Sequence, residues 1–342
     1  MKKASAYFPI FVSVLLCLAT FSSSALSVFT DETAAGTVRP DQEGGIGGRP
    51  LKDYVSAPYV ESSSSSSAES QAVSADRSDA IGKIYEQFLS PYSAKLSYGG
   101  VYIKNTTGLS VDIKKELAEG IKFKIEKGNE PQVLIVHTHA TECYMEEARD
   151  FYTAADKART TDNSKNVTEI GEIMAKKLES GGIKVIHDRT QHDHPSYNQS
   201  YSRAAETIKE YLDKYPSIKI VVDVHRDSVA LTGSDKAKPT VTVNGKKAAQ
   251  VMLVVGSETG SVTGFPNWRE NFRLALKYQQ TMEALYPGLA RTMAFAPRKY
   301  NMHLTTGSML LEVGTDSNSF EEAKYSAELA GDALLSLLNT LK

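Results

Sequence analysis

The sequence predicts an α/β fold in which a mostly parallel, mixed and twisted sheet carries helices on both faces. Three observations predict it. Residues 133–136 are four apolar residues between polar ones, as expected of a buried strand. From there, strand-like and helix-like segments alternate with connections long enough for parallel crossovers. The chain, at 342 residues, is also long enough to bury a sizeable core.

The remaining elements follow from residue spacing. Apolar residues three and four apart predict helices at 111–121, 168–178, 203–215, 268–285 and 320–341. Short apolar runs predict strands at 183–186, 218–224, 250–255 and 309–311. Near the start of this region, Ile84-Tyr85 and Phe88-Leu89 also recur at helical spacing, which predicts a further helix there.

The first 29 residues predict a membrane segment. Lys2 and Lys3 precede an apolar run at 7–29, a pattern shared by signal anchors and cleavable signal peptides. The run approaches the roughly 20 residues that a bilayer requires, while Ser23-Ser24-Ala25 is a candidate cleavage site. We expect an uncleaved anchor, with the rest of the chain outside the cytoplasm.

Two further regions follow the anchor. Residues 30–80 are rich in Ser, Gly, Ala and Pro and include an unbroken serine run at 62–67. Such a composition buries too little apolar surface to offset the entropy of ordering, so we predict a disordered tether. Residues 81–342 are predicted to form one catalytic domain.

The composition of the chain and the motifs it lacks exclude several classes of function. The net charge of −2 gives no electrostatic reason to expect a nucleic-acid partner. Of the two cysteines, Cys17 lies in the apolar segment and Cys143 in the domain, so no disulfide framework is expected. We interpret Cys143 as a small packing residue rather than a nucleophile. The sequence has no Gly-x-Ser-x-Gly elbow and no phosphate-binding glycine loop.

Three predicted strands end in polar residues that suit a metal hydrolase. The first is followed by His139-x-x-Glu142, the second ends in His225, and the last carries Glu312. Two imidazoles and one carboxylate leave the fourth position of a tetrahedral zinc open, as in catalytic sites. We therefore predict His139, Glu142 and His225 as zinc ligands and Glu312 as the catalytic acid–base. His137 is an alternative ligand, or a residue behind the ligands.

Each of these residues also has a purely structural interpretation. His225 is able to form a buried pair with Asp223, and Glu312 an ion pair with Arg226. Three strand ends that carry a His-x-x-Glu, a His and a Glu together favour the metal site over three separate coincidences.

The chain resembles the stage II sporulation protein P family of endospore-forming bacteria. The resemblance covers residues 81–342 and rests on four segments, 100–108, 137–142, 222–227 and 311–318. It implies an amidase-like catalytic domain, similar to the zinc-dependent N-acetylmuramoyl-L-alanine amidases, that cleaves the N-acetylmuramoyl-L-alanine amide of peptidoglycan. It also implies action on stem-peptide cross-links, work with stage II sporulation proteins D and M, and a place at the sporulation septum and forespore membrane during engulfment.

The resemblance also assigns individual residues. His139 and His225 match the two histidines of the amidases, and Glu312 matches their catalytic glutamate. In those enzymes the ligand glutamate lies just before the first helix, whereas 163–166 here contains no acid. Glu142 is the expected substitute. The alternatives are Glu146, Glu147 and Glu169.

We expect substrate contacts from four residues, Arg189, Arg226, Asn301 and Asn318. For the two arginines the reason is that stem peptides carry carboxylates, which arginine binds bidentately. The alternative is that these residues stabilise the fold. The other histidines of this region, His187, His192 and His194, are predicted at the surface, and Trp268 in the core.

Two other functions remain open at this point. A zinc carboxypeptidase acting on stem peptides uses the same residue types. A non-catalytic module that binds the cell wall would keep the fold without the hydrolytic activity.

Overall fold

The computed structural model of the protein describes residues 77–126 and 128–342. The predicted anchor at 1–29 and most of the predicted tether at 30–80 lie outside the described residues. Within this part of the chain, no helix is long and apolar enough to cross a membrane.

Strands and helices alternate along the described chain. In order they are β1 (Gly82–Gln87), β2 (Leu96–Tyr98), β3 (Val101–Asn105), α1 (Ile113–Glu119), β4 (Val133–Val136), β5 (Phe151–Tyr152), α2 (Val167–Ser180), β6 (Val185–His187), α3 (Ser200–Lys214), β7 (Ile220–Asp227), β8 (Val229–Ala230), β9 (Lys236–Val243), β10 (Lys246–Ala249), β11 (Val251–Gly256), α4 (Trp268–Leu285), β12 (Met293–Ala296), β13 (Ser308–Thr315) and α5 (Phe320–Asn339). Short 3-10 turns lie at Pro91–Ser93 and Met302–Leu304.

The larger sheet has eight strands in the order β2-β3-β12-β11-β13-β7-β4-β6. The pairs β2-β3 and β11-β13 are antiparallel, and the other neighbouring pairs are parallel. The predicted fold class, a mostly parallel but mixed sheet, is therefore confirmed. Because β13, β7 and β4 are parallel neighbours, their carboxyl ends meet at the same edge of the sheet.

Successive side chains of β4 point to opposite faces of this sheet. Val133 and Ile135 belong to the larger core cluster, to which α2, α4 and α5 contribute. Leu134 and Val136 pack instead with Ile208 of α3 in a second cluster. Helices thus cover both faces, which explains why every position of this strand is apolar.

A smaller sheet has the order β10-β9-β1-β5, and β8 pairs with β9. The helix predicted around Ile84 and Phe88 is wrong. Ile84 lies in β1, which pairs in parallel with β9 and antiparallel with β5. A short apolar pattern fits either period, and pairing with strands distant in sequence determines the conformation here.

Candidate metal site

The fold brings the predicted site residues to one edge of the larger sheet. Val136, at the end of β4, pairs with Asp223 of β7. On the other side of β7, His225 pairs with Glu312 of β13. After β4 the chain turns sharply, and the amide of Glu142 donates to the carbonyl of His139 at 3.1 Å. This turn returns Glu142 to the end of β7.

His139, Glu142 and His225 form a compact buried cluster. Their ligand atoms all lie within 4.8 Å of one another. Oε1 of Glu142 is 3.6 Å from Nδ1 of His139, and Oε2 is 3.4 Å from Nδ1 of His225. The carboxylate therefore lies between the two imidazoles, with its two oxygens directed at different rings.

Neighbouring groups fix the far side of each imidazole. Nε2 of His139 lies 3.1 Å from the hydroxyl of Ser200. Nε2 of His225 lies 2.9 Å from Oδ1 of Asp223, although the two atoms are not aligned as a hydrogen bond. Asp223 is itself held by the amide and hydroxyl of Thr138, at 2.8 and 2.6 Å. Both rings consequently present Nδ1 to the cluster, as expected when outer partners orient metal ligands.

The electrostatics of the cluster favour a bound cation. Burial opposes ionisation of Glu142, but Arg226 and the two histidines hold its pKa below the usual value. Burial and the nearby His225 lower the pKa of His139 to about 4, so this ring is neutral and its Nδ1 is free to coordinate. Burial disfavours a charge on His225, but Asp223 and Glu142 raise its pKa well above the usual value.

Glu312 lies beside the cluster. It is half-buried on β13, and its Oε2 is buried without a hydrogen-bond partner among the described residues. Burial, followed by the nearby Asp227, raises the pKa of Glu312 above its usual value. A carboxyl group with a raised pKa next to a metal cluster is suited to carrying a proton.

His137 does not belong to the cluster. Its Nδ1 lies 2.9 Å from the carbonyl of Val224, and its Nε2 lies 2.9 Å from Nε2 of His187. His187 in turn lies 3.0 Å from Oε2 of Glu172. This row of polar groups ties the turn after β4 to β7 and α2, so His137 is placed behind the ligands.

The prediction that His187 and His192 lie at the surface is wrong. The side chain of His187 is 7% exposed, and His192 is 2% exposed. Nδ1 of His192 faces the carbonyl of His137 at 3.0 Å. Both histidines lie in a polar stretch, so the local pattern does not reveal their burial. Each contacts His137, which lies in the turn after β4 and is distant in sequence. His194 is exposed, as predicted.

Arg226 supports the cluster from behind. Its amide donates to Oε2 of Glu142 at 3.2 Å. Its guanidinium donates to the carbonyls of Cys143 and Ala158 at 3.1 and 2.8 Å. Arg226 is buried, so in this structure its contacts hold the loop of Glu142 instead of facing a substrate.

The other predicted substrate residues are dispersed. Asn318 is fully buried, and its Oδ1 accepts a hydrogen bond from the amide of Thr315 at 2.9 Å. This bond stabilises the turn before α5. Arg189 is an exposed residue 4.0 Å from Glu169. Asn301 alone contacts the surroundings of the cluster, because its amide donates to the carbonyl of Tyr201 at 2.8 Å.

The alternative carboxylate ligands lie apart from the cluster. Glu146 forms an exposed pair with Lys165, Glu147 is exposed, and Glu169 lies by Arg189. Cys143 is buried, and its thiol donates to the carbonyl of Lys157 at 2.9 Å, which agrees with a packing role. Burial raises the pKa of the Cys143 thiol, which also argues against a nucleophile.

Sequence reasoning missed several aromatic and charged neighbours of the cluster. Tyr197 stacks on His139 with ring centroids 4.6 Å apart, and the Tyr201 ring contacts His139 edge-on at 5.5 Å. The guanidinium of Arg159 lies 3.6 Å from Glu142 and 4.9 Å from the Tyr197 ring. No motif marks these residues. The helix α3 begins at Ser200, three residues before the predicted start at 203. Tyr201 therefore lies in the first turn of α3, whereas the prediction places it before the helix.

Comparison with known proteins identifies relatives. A family model described as stage II sporulation protein P matches residues 56–335. The stage II sporulation protein P of Bacillus subtilis (strain 168) is 32% identical over 217 residues, which are 60% of this chain and 50% of that protein. The chain thus spans about half the length of this curated relative.

Solved structures with a similar arrangement include amidases. AmiC2, an N-acetylmuramoyl-L-alanine amidase of Nostoc punctiforme, is 12% identical, with 62% of this chain and 99% of that chain covered and a TM-score of 0.35. The CwlD amidase of Clostridioides difficile, solved in complex with the GerS lipoprotein, is 14% identical, with 61% and 98% covered and a TM-score of 0.37. These values are too low to bear on function.

Proposed function

Because this chain belongs to the stage II sporulation protein P family, we propose that it is a zinc-dependent hydrolase of peptidoglycan that cleaves the N-acetylmuramoyl-L-alanine amide. The observation that carries the proposal is the buried cluster of His139, Glu142 and His225, with Glu312 on the adjacent strand. Together these residues supply two imidazoles, one carboxylate ligand and a separate acid–base group, which amide hydrolysis requires.

The cluster meets the requirements of a zinc site. Two nitrogen donors and one carboxylate converge within 4.8 Å, and this donor set is typical of catalytic zinc. The ionised Glu142 supplies negative charge, and Asp223 and Ser200 orient the rings from outside. Zinc bound there would polarise a water and the scissile carbonyl.

The protein's own residues then have distinct tasks. His139, Glu142 and His225 would hold the metal. Arg226 fixes Glu142 through its amide, and its guanidinium fixes the surrounding loop. Glu312 takes the proton of the attacking water and returns it to the nitrogen of the leaving amine, so the amine leaves neutral.

The biological setting is a further part of the proposal and is supported by family membership. We propose that residues 1–29 anchor the protein in a membrane with the catalytic domain outside the cytoplasm. The enzyme would act on septal peptidoglycan during engulfment, together with stage II sporulation proteins D and M. Cleavage of stem-peptide cross-links would be its second activity.

Product analysis tests the activity. Purified protein is incubated with peptidoglycan sacculi and zinc, and soluble products are identified by mass spectrometry. The proposal expects free stem peptides that begin with L-alanine, and glycan strands that keep their lactyl groups. Loss of terminal amino acids alone would instead identify a carboxypeptidase, and binding without any product would identify a recognition module.

A further inference from the structure

The first turn of α3 lies directly against the metal cluster. Ser200, its first residue, contacts Nε2 of His139. Tyr201, its second residue, places its ring edge-on to the same imidazole, at 5.5 Å and 80°. Two consecutive residues of one rigid element therefore fix both the tilt of His139 and the position of Tyr201 beside it.

Tyr201 is partly exposed, and its hydroxyl forms no hydrogen bond with another described residue, so it is open to water at the edge of the site. Two tyrosines that are buried have paired hydroxyls: Tyr278 donates to the carbonyl of Ala330 at 2.7 Å, and Tyr144 to that of Val313 at 2.9 Å. Tyrosine hydroxyls removed from water are normally paired. Tyr201 thus keeps a free donor at the edge of the site.

Strained backbone surrounds this residue. Four non-glycine residues in the described part of the chain have positive φ, and three of them flank Tyr201. Gln199 (φ 65°) immediately precedes α3, while Tyr300 (φ 46°) and Asn301 (φ 59°) are consecutive. The side-chain amide of Asn301 holds the carbonyl of Tyr201, and the Tyr300 ring lies 5.9 Å from the Tyr201 ring. Such conformations persist where surrounding contacts enforce them, and they concentrate at functional sites.

Charged groups of the cluster also lie in the neighbourhood of Tyr201. After burial, the carboxylates of Asp223, Glu312 and Glu142 each raise the pKa of Tyr201. The phenol therefore lies near the acid–base residue as well as the ligands. Tyr201 belongs to α3, whereas Glu312 belongs to the sheet, so the two groups reach the site from different elements.

We propose that Tyr201 is a catalytic residue whose hydroxyl donates a hydrogen bond to the oxygen of the scissile carbonyl. This inference rests on the proposed function. As the water oxygen bonds to the carbonyl carbon, the π electrons move onto the carbonyl oxygen, and Tyr201 stabilises that charge without losing its proton. The electrons return when the carbon–nitrogen bond breaks, and Glu312 supplies the proton to the amine. Donors aimed at a developing oxyanion are among the largest catalytic effects.

The variant Tyr201→Phe tests the role because it removes the hydroxyl and keeps the ring that packs on His139. We expect kcat to fall on the order of 10²–10³-fold, as for the loss of one oxyanion donor, with KM and zinc content close to wild type. Tyr215→Phe is the matched control, because Tyr215 follows the other end of α3. It should keep wild-type kcat.

A binding measurement separates a catalytic role from a structural one. The probe is a phosphinate analogue of the muramoyl-L-alanyl amide, whose tetrahedral oxygens imitate the intermediate. Tyr201→Phe should bind this probe at least about tenfold more weakly. The reason is that the Tyr201 hydroxyl is proposed to bond the negatively charged oxygen of the tetrahedral intermediate, which the probe imitates and the product lacks. It should bind the product peptide L-alanyl-D-isoglutamate unchanged.

The outcomes distinguish the two proposals. Wild-type kcat in Tyr201→Phe, or equal loss of affinity for probe and product, would overturn the role of Tyr201 while the hydrolase assignment stands. A wild-type protein that neither retains zinc nor hydrolyses peptidoglycan would overturn the proposed function, and the role of Tyr201 with it.

Discussion

Nδ1 of His225 lies 3.4 Å from Oε2 of Glu142, while Oε1 of the same carboxylate lies 3.6 Å from Nδ1 of His139. One carboxylate thus faces two imidazoles that belong to different strand ends. The arrangement depends on two local features, namely the tight turn between His139 and Glu142 and the amide of Arg226 that binds Oε2. It requires no residue from a helix.

Replacing Glu312 by Gln should abolish hydrolysis and leave zinc bound. The change keeps the shape of the side chain but removes its ability to carry a proton, and such groups contribute about 10²–10⁴-fold to rate. Hydrolysis is measured by release of stem peptides, and zinc by elemental analysis. Glu328→Gln, at an exposed position of α5, is the control. A Glu312→Gln protein with wild-type turnover would remove Glu312 from the mechanism.

Replacing Asp223 by Asn should weaken zinc binding about 10–100-fold, the usual effect of losing an outer partner of a metal-bound histidine. The reason is the 2.9 Å contact between Asp223 and Nε2 of His225, because a neutral amide orients this ring less strongly than a carboxylate. Competition with a chelator measures the affinity. Asp213→Asn, at an exposed position of α3, should have no effect. Equal affinities in both variants would show that Asp223 does not position the ligand.

Replacing Gly171 by Ala should destabilise the protein, although alanine normally stabilises a helix interior relative to glycine. A Cβ at Gly171 would lie 2.6 Å from Nε2 of His137 and 2.8 Å from Nε2 of His187, and both rings are held by polar contacts on their other nitrogen. We expect a loss of about 1–3 kcal/mol, as for overpacking in general, measured by denaturant unfolding. At Gly128 a Cβ meets nothing within 4 Å, so Gly128→Ala is the control. Stabilisation by Gly171→Ala would contradict the close packing of α2 on His137.

A pH-dependent loss of stability should arise at Glu283. Burial raises the pKa of this residue to about 7, although the amide of Gly288 and the hydroxyl of Tyr92 donate to it. Between the ordinary value of 4.5 and about 7, the unfolded chain releases the proton while the folded protein keeps it. The free energy of unfolding therefore falls as pH rises through this window and is constant above it.

The variant Glu283→Gln isolates this effect, because an amide does not titrate. Its melting temperature should match that of the wild type near pH 4.5 and exceed it by several degrees at pH 8. Thermal unfolding across this range provides the measurement. A difference that stays constant with pH would show that Glu283 is not the titrating group.

The sequence predicted the central elements well where local pattern and tertiary environment agree. The strand at Val133–Val136 and the helix at Trp268–Leu285 have the predicted bounds. The strand is apolar throughout because both of its faces are buried, and the helix has a regular apolar stripe. The strand ends that carry the candidate ligands could therefore be located, and the choice of Glu142 over Glu146, Glu147 and Glu169 agrees with the observed cluster.

Other features depend on contacts between distant segments. The local spacing around Ile84 predicts a helix because nothing local reveals its pairing with β9. The sequence prediction lacks the hairpin of β9 and β10, although Asn244-Gly245 is a strong turn signal. The burial of His192 and the contact of Tyr201 with His139 are tertiary facts that no spacing encodes. The roles expected of Arg189, Arg226, Asn301 and Asn318 in substrate binding stay predictions.

Zinc content measured together with peptidoglycan hydrolysis tests the central claim most directly. The full-length protein is purified beside His225→Ala and the control His194→Ala, which changes an exposed loop histidine. The account predicts about one zinc per chain and free stem peptides for the wild type and His194→Ala, and loss of both for His225→Ala. A metal-free wild type, or a His225→Ala variant that keeps both zinc and activity, would contradict it.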